Sequence, residues 1–378
     1  MSDAARYIDP QTRETFSLEK PLWRSPSGNP MMVTDLPGIG RDDIDRSARS
    51  IWRYRAALPL DIKSPVSLGE GLTPLVPAKL PAGEVDFKLE WFAPTSSFKD
   101  RGASVMLSYL RQVGVDAILE DSSGNGGAAI AAYGAAAGVK VRILTPETTQ
   151  LAKIVQMRAF GAHVQLVSGP RENSQFEAIR QSEQTFYASH NWQAFFLQGT
   201  KLLAYELWED YGFEVPDNIV IPAGAGSNVL GCDLGFTELL RAGQITKLPR
   251  LFAVQPQNCS PIHAAFSAGS NGPVPIEVSP TVAEGTAIRS PVRMSAVLGA
   301  IRRSKGSTVA VSEDEIISAV GLLARAGFYA EPTSAMAAAA ADKLLAGGVI
   351  QSGERTVVLL TGSGLKSAAF MMDRFSGE

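Results

Sequence analysis

Pro94-Thr95-Ser96-Ser97-Phe98-Lys99-Asp100-Arg101-Gly102 is the stretch from which the rest of the chain is ordered. A strand-like run, Val85-Asp86-Phe87-Lys88-Leu89-Glu90-Trp91, precedes it, and an apolar helical run, Ala103-Ser104-Val105-Met106-Leu107-Ser108-Tyr109-Leu110, follows it. Thr95, Ser96 and Ser97 are N-cap candidates, because their hydroxyls can accept the unpaired amides of a first helical turn. Lys99 then falls in or near that turn. The positive end of the helix dipole disfavours an ammonium there and makes a neutral, nucleophilic amine easier to reach. Amines of that kind form Schiff bases with carbonyl groups. Taken alone, the same residues also describe a surface lysine paired with Asp100 at a helix start.

From about residue 85 onward, short β-branched or apolar runs alternate with alanine-rich helical runs. The pattern predicts strands at 117–120, 139–144, 163–167, 185–188, 218–221, 250–254 and 356–360. Helices are predicted near 103–113, 126–137, 151–160, 172–184, 198–211, 228–242, 313–326 and 333–346. That alternation implies an α/β protein with mostly parallel, open twisted sheets, flanking helices, and sites at the carboxyl ends of strands. Residues 1–65 read as an irregular packing arm, with one amphipathic helix at 44–58. The Gly- and Pro-rich stretch 267–280 reads as a surface connection.

Three glycine-rich turns follow strands. Asp121-Ser122-Ser123-Gly124-Asn125-Gly126-Gly127 offers hydroxyls, an amide side chain and exposed backbone N–H groups at a helix N-terminus, a place that suits a carboxylate. A tight turn with N-caps uses the same residues. Pro222-Ala223-Gly224-Ala225-Gly226-Ser227-Asn228 lets amides converge on a phosphate. It lacks the Gly-Lys-Ser/Thr of a P-loop and the third glycine of a dinucleotide fingerprint, so a single phosphate group suits it better than a nucleotide. In Leu359-Leu360-Thr361-Gly362-Ser363-Gly364, Thr361 leaves a strand end and can offer a neutral hydroxyl to a ring nitrogen, or simply end the strand in a turn.

The 378 residues suit one large or two moderate domains. Hydrophobic residues at 45% and charged residues at 19% leave an ample core. Lys and Arg total 35 against 38 Asp and Glu, a balance of −3, so no basic surface points to nucleic acid. Cys232 and Cys259 have neither metal-ligand spacing nor disulfide density, and His163, His190 and His263 are scattered, so no metal is expected. No Gly-x-Ser-x-Gly elbow stands in hydrolase order. The apolar runs are too short for a bilayer, and the N-terminus lacks the regions of a signal peptide, so a cytoplasmic setting without membrane contact is expected.

Taken together, Ser97-Phe98-Lys99-Asp100-Arg101-Gly102, Ser122-Ser123-Gly124-Asn125, Gly224-Ala225-Gly226-Ser227-Asn228 and Thr361-Gly362-Ser363-Gly364 stand in the order of a known family. The sequence resembles the pyridoxal-phosphate enzymes of the tryptophan synthase β-like fold (fold type II), and among them threonine synthases. Further matching stretches are Gly69-Glu70-Gly71-Leu72-Thr73-Pro74-Leu75, Gly199-Thr200-Lys201, Thr286-Ala287-Ile288-Arg289 and Glu331-Pro332-Thr333-Ser334-Ala335. The resemblance implies that Lys99 carries pyridoxal 5'-phosphate as a Schiff base and acts on the substrate's α-proton. It implies that Asn125 bonds the cofactor's ring hydroxyl, while Ser122, Ser123, Gly124 and Asn125 receive the carboxylate of a small amino-acid substrate. Gly224, Ala225, Gly226, Ser227 and Asn228 would cradle the cofactor phosphate, and Thr361 would face the pyridine nitrogen.

Also implied are two domains with the cofactor between them: 1–102 with 191–378 as the larger cofactor-binding domain (1–65 its arm), and 103–190 as a small inserted one. A homodimer is what the resemblance suggests. The implied reaction is threonine synthase-like, O-phosphohomoserine and water giving threonine and phosphate. Alternatives are an ammonia-lyase or dehydratase releasing a 2-oxo acid, or a β-replacement synthase similar to cysteate synthases. The chain departs from the threonine synthase pattern where Phe196, in Phe195-Phe196-Leu197-Gln198, aligns with an arginine that would bind substrate phosphate. Lys201, Arg289 and Arg293 are possible replacements.

Overall fold

The computed structural model describes residues 5–122, 124–149 and 151–376. They divide into two compact units. The first holds the chain up to Gly71 together with Lys99–Leu202; the second holds Leu72–Phe98 and the chain from Leu203 onward.

In the first unit, four strands form a parallel sheet in the order His163–Val167, Lys140–Pro146, Ala117–Glu120, Phe186–Tyr187. The helix Lys99–Gln112 is buried continuously from Asp100 to Leu110. Helices meet it at small residues. A Cβ on Gly102 would lie 2.5 Å from the Phe196 ring, and one on Gly199 would lie 2.1 Å from the Arg101 carbonyl oxygen, so the helix Ala194–Thr200 is in backbone contact with it. The alanine-rich helix Asn125–Ala137 packs nearby for the same reason.

The arm forms its own antiparallel sheet, Thr15–Ser17, Arg6–Ile8, Met32–Val33. It is fastened inside this first unit by buried polar groups. The Tyr7 hydroxyl donates to that of Tyr109 (2.9 Å), which donates to the Leu18 carbonyl (2.8 Å). Glu70, fully buried, accepts from Trp52 Nε1 (3.1 Å) and Ser104 Oγ (2.7 Å) on Oε1, and from the Tyr133 hydroxyl (2.7 Å), Leu68 N (2.9 Å) and Ser67 Oγ (3.2 Å) on Oε2. This differs from the sequence-based division, which placed 1–102 and 191–378 together. The bonds of the arm to helical residues such as Tyr109 and Ser104, and the seating of 194–200 against the helix Lys99–Gln112, are the physical reason.

The second unit is built on six strands in the order Ser307–Val311, Arg250–Pro256, Asn218–Pro222, Thr356–Leu360, Gly83–Leu89, Leu75–Leu80. All neighbours are parallel except the final pair. The helices Pro332–Ala346 and Glu313–Arg325 and the sheet share one apolar core. Lys88 is fully buried, with Nζ 2.7 Å from Glu206 and 2.7 Å from Asp210, and it donates to the Thr73 carbonyl at 2.6 Å.

Seven predicted strands and most predicted helices stand where expected, with three differences. The 44–58 helix is a 3-10 helix, Ile51–Ala57, interrupted at Tyr54 (φ −99°, ψ 20°). The 198–211 helix is two, Ala194–Thr200 and Leu202–Asp210, parted at buried Lys201, whose Nζ donates to the Ala57 carbonyl (2.7 Å). The three strands of the arm, the strands Leu75–Leu80 and Ser307–Val311, and the helices Pro261–Ser267, Met294–Arg303 and Ala368–Phe375 were not anticipated. Removing the Glu70 carboxylate strands several buried donors, so Glu70→Ala should lower unfolding stability by about 3 kcal/mol or more in denaturant titration.

Candidate active site

Three loops in the second unit leave the carboxyl ends of neighbouring parallel strands. Leu89, Pro222 and Leu360 end those strands, and Leu360 pairs with Leu89. This is the crevice position at which parallel α/β sheets place their ligands. Two of the loops are stitched together. Phe98 N donates to the Thr361 carbonyl (3.0 Å), Ser363 N donates to the Ser96 carbonyl (3.2 Å), and Ser97 bridges Gly362. Ser96 takes a left-handed φ of 65° to make that turn. Thr361 is buried, and its hydroxyl lies 3.3 Å from Ser334 Oγ, which also donates to the Gly362 carbonyl (2.9 Å).

The helix after the stitched loop starts at Lys99 itself. The Ser97 hydroxyl is not its cap. It is buried and has no hydrogen-bond partner among the described residues. The expectation that Lys99 opens the helix is met by a different local route.

The third loop continues into the helix Ser227–Arg241 through Gly226, whose φ is +86°. A Cβ there would lie 2.5 Å from Val297, so both backbone and packing call for glycine. Gly224 lies against residues of the stretch 286–289: its Cβ position is 3.1 Å from the Thr286 Cα and 3.3 Å from Ile288. Gly285 N in turn donates to Thr333 Oγ1 (3.2 Å). Thus the glycine turn and the 286–289 and 331–335 motifs, separate in sequence, come together. The Asn228 side chain is buried, and neither its oxygen nor its nitrogen has a hydrogen-bond partner among the described residues. A buried amide without partners is rare in proteins, and a glycine-lined turn that ends in one suits a phosphate ester, as does the orphaned Ser97 hydroxyl.

In the first unit, Ser122 and Gly124 precede the helix Asn125–Ala137, and Ser122 Oγ accepts from Gly124 N (3.4 Å). Ser123 lies outside the described residues. Beside this turn is a pair that reading the sequence did not single out. Glu120 closes the strand Ala117–Glu120; its Oε2 accepts the His190 amide (3.0 Å), and its Oε1 lies 2.8 Å from His190 Nδ1. Desolvation pushes the Glu120 carboxyl up to about 8, and burial holds His190 well below the ordinary imidazole range, with the Lys99 charge adding to it. Asp121 is raised to about 6 by burial and by Glu120, while the Tyr187 hydroxyl (2.6 Å) and Ser189 Oγ (3.0 Å) donate to it. No local signal in the sequence marks this cluster. Among the described residues, no group of three His, Cys, Asp or Glu is placed to hold a metal ion.

The family described as pyridoxal-phosphate dependent enzymes matches residues 66–362. The chain belongs to that family. It is 34% identical to the threonine synthase of Methanocaldococcus jannaschii, covering 87% of this chain and 83% of that one. To the threonine synthase of Methanosarcina acetivorans it is 33% identical, covering 89% and 84%. Among solved structures, a fungal L-serine ammonia-lyase from Rhizomucor miehei superposes with a TM-score of 0.70 at 23% identity, over 81% of this chain and 98% of that one. Threonine deaminase isoform 2 of Solanum lycopersicum gives 0.67 at 21% identity, over 80% and 83%.

The expected fold, two-unit α/β of the tryptophan synthase β-like kind, is therefore the observed one. Pyridoxal phosphate is the cofactor, and the enzyme is a threonine synthase-like lyase. No described helix is long and apolar enough to cross a membrane. Gly226→Ala should weaken pyridoxal phosphate binding more than tenfold, on the order of 1.4 kcal/mol. Equilibrium titration of the apoprotein, with melting curves of the unliganded form as control, checks it.

Proposed function

We propose that the enzyme converts O-phosphohomoserine and water to threonine and phosphate. Lys99 would hold the cofactor covalently, Asn125 its ring hydroxyl, and Gly224, Ala225, Gly226, Ser227 and Asn228 its phosphate, with Thr361 at the ring nitrogen. The observation that carries the reading is the placement of Lys99 as the first residue of a buried helix, directly after a loop stitched to Thr361 and Ser363. When bound, pyridoxal phosphate supplies a sink for charge developing beside a substrate's α-carbon.

Lys99 Nζ moves the proton at that carbon, as base and then as acid. Ser122, Ser123, Gly124 and Asn125 orient the substrate by its carboxylate. Thr361 offers a hydroxyl, which leaves the ring nitrogen's protonation unforced and favours chemistry along the side chain. Of the cations that could meet a substrate phosphate, Lys201 is committed to the Ala57 carbonyl and Arg289 is exposed. Arg293 is buried, and desolvation lowers it to about 9, which leaves it charged at neutral pH, so a phosphate nearby would stabilise a charge that burial disfavours. We assign it that role. A homodimer in the cytoplasm completes the proposal.

One observation favours a second reading. Phe196 is fully buried, its ring centre 5.6 Å from Lys99 Nζ and 5.6 Å from the His190 ring. An aromatic ring where a guanidinium would bind phosphate suits an unphosphorylated side chain, as in an ammonia-lyase that releases a 2-oxo acid or a β-replacement synthase.

Product analysis separates these outcomes. Phosphate release from O-phosphohomoserine with threonine formed and no ammonia supports the first reading. A 2-oxo acid from serine or threonine, with no phosphate turnover, replaces it with the second. Lys99→Ala should lose the absorption band of the loaded protein and at least about 10³-fold in turnover; a fully active Lys99→Ala enzyme sinks both.

A further inference from the structure

We propose that Glu120 and His190 are a positioning pair whose shared proton keeps the turn at Ser122, Gly124 and Asn125 receptive to a carboxylate. The inference rests on the reading above that this turn receives the substrate's carboxylate.

The geometry is specific. Glu120 stands two residues before Ser122, and both of its oxygens are engaged by His190. The imidazole in turn covers the first turn of the helix Asn125–Ala137: a Cβ on Gly126 would lie 2.7 Å from His190 Cε1 and 2.9 Å from both Nδ1 and Ser122 Oγ. Phe196 also neighbours the ring. His190 therefore fills the space between the acid at the strand end and the amides that open the helix.

Two acids, Glu120 at the strand end and Asp121 directly after it, stand beside the turn proposed to bind the carboxylate. If both were ionised, their field would oppose the incoming carboxylate. One proton held between Glu120 and Nδ1 leaves the pair neutral. Asp121 keeps its own donors, Tyr187 and Ser189, and Lys99 and Arg171 supply the positive charges that face the pair from their helices. As pH rises through the Glu120 range near 8, the proton leaves, the pair becomes anionic, and carboxylate affinity falls. Glu120→Gln keeps an acceptor for the His190 amide and a donor for Nδ1, but it has no proton to lose.

The test uses the cofactor-loaded enzyme and propionate, a carboxylate with no amine to react, titrated calorimetrically from pH 6.5 to 9.0. Wild-type affinity should fall by about fivefold relative to Glu120→Gln across that range. A wild-type to Glu120→Gln ratio that stays constant with pH overturns the proposal, and so does an absence of propionate binding. Other titrating groups are common to both proteins and cancel in the ratio. Nitrogen-15 spectra of the three histidines in the wild type guard against a misfolded variant. His190 should remain neutral throughout, with its shift moving near pH 8; protonation near 6.5 overturns the pair. The absorption band and product release are recorded on the same samples. A flat ratio with both intact removes only this role, whereas a missing band removes the functional reading itself.

Discussion

The backbone pairing of two loops is the constraint from which the rest follows. Phe98 gives its amide to Thr361, and Ser96 receives one from Ser363. Those bonds hold Ser96 in a left-handed conformation that a serine does not adopt unaided. The strands feeding the loops, Gly83–Leu89 and Thr356–Leu360, are parallel neighbours in register. The backbone arriving at Lys99 is therefore fixed from the sheet outward. For the role proposed for Lys99, a backbone held in this way up to Phe98 would lower the ordering entropy of reaction.

Buried polar groups in this chain fall into two kinds, and the difference separates framework from site. Glu70 has five donors, and Lys88 has two carboxylates and a carbonyl. Such networks are complete within the protein and fix its geometry. Asn228 and the Ser97 hydroxyl are as deeply buried, yet the described residues offer them no partner. A chain that satisfies five donors on one buried carboxylate, yet leaves the Asn228 amide without a partner among the described residues, suits that amide to a ligand. One heptapeptide, Gly69–Leu75 in numbering, carries anchors of the first kind for each unit: Glu70 in the first and Thr73, which donates to Glu90 (2.7 Å), in the second.

The central parallel strands were legible because each is a short, nearly unbroken apolar run, as Asn218–Pro222 and Thr356–Leu360 are, buried along its whole length. Leu75–Leu80 was not. It is an antiparallel edge strand containing Pro77 and Lys79, residues that suit an edge and break the apolar pattern. The break at Lys201 was equally hidden, since its cause is a carbonyl at Ala57, 144 positions away in sequence. The hydroxyls of Thr95, Ser96 and Ser97 pointed correctly to a helix start. Burial then gave Ser97 a different fate, because capping propensity describes a hydroxyl and not its surroundings.

The candidate site shows the same limit more sharply. Lys99, the glycine turn and Thr361 announce themselves because each stands in a local pattern with a mechanical reason. His190 has no such pattern, and its partner is 70 positions away. What joins them is sheet order. Phe186–Tyr187 is only two residues long, yet it pairs with Ala117–Glu120 through Leu119 and Tyr187, and Ala188 N reaches the Leu119 carbonyl (2.8 Å). From that register His190 can only arrive at the end of the strand, where Glu120 is. The strand at 185–188 was expected, but nothing in its own residues says which strand it pairs with, so the chemistry that depends on that pairing becomes visible only once the sheet is assembled.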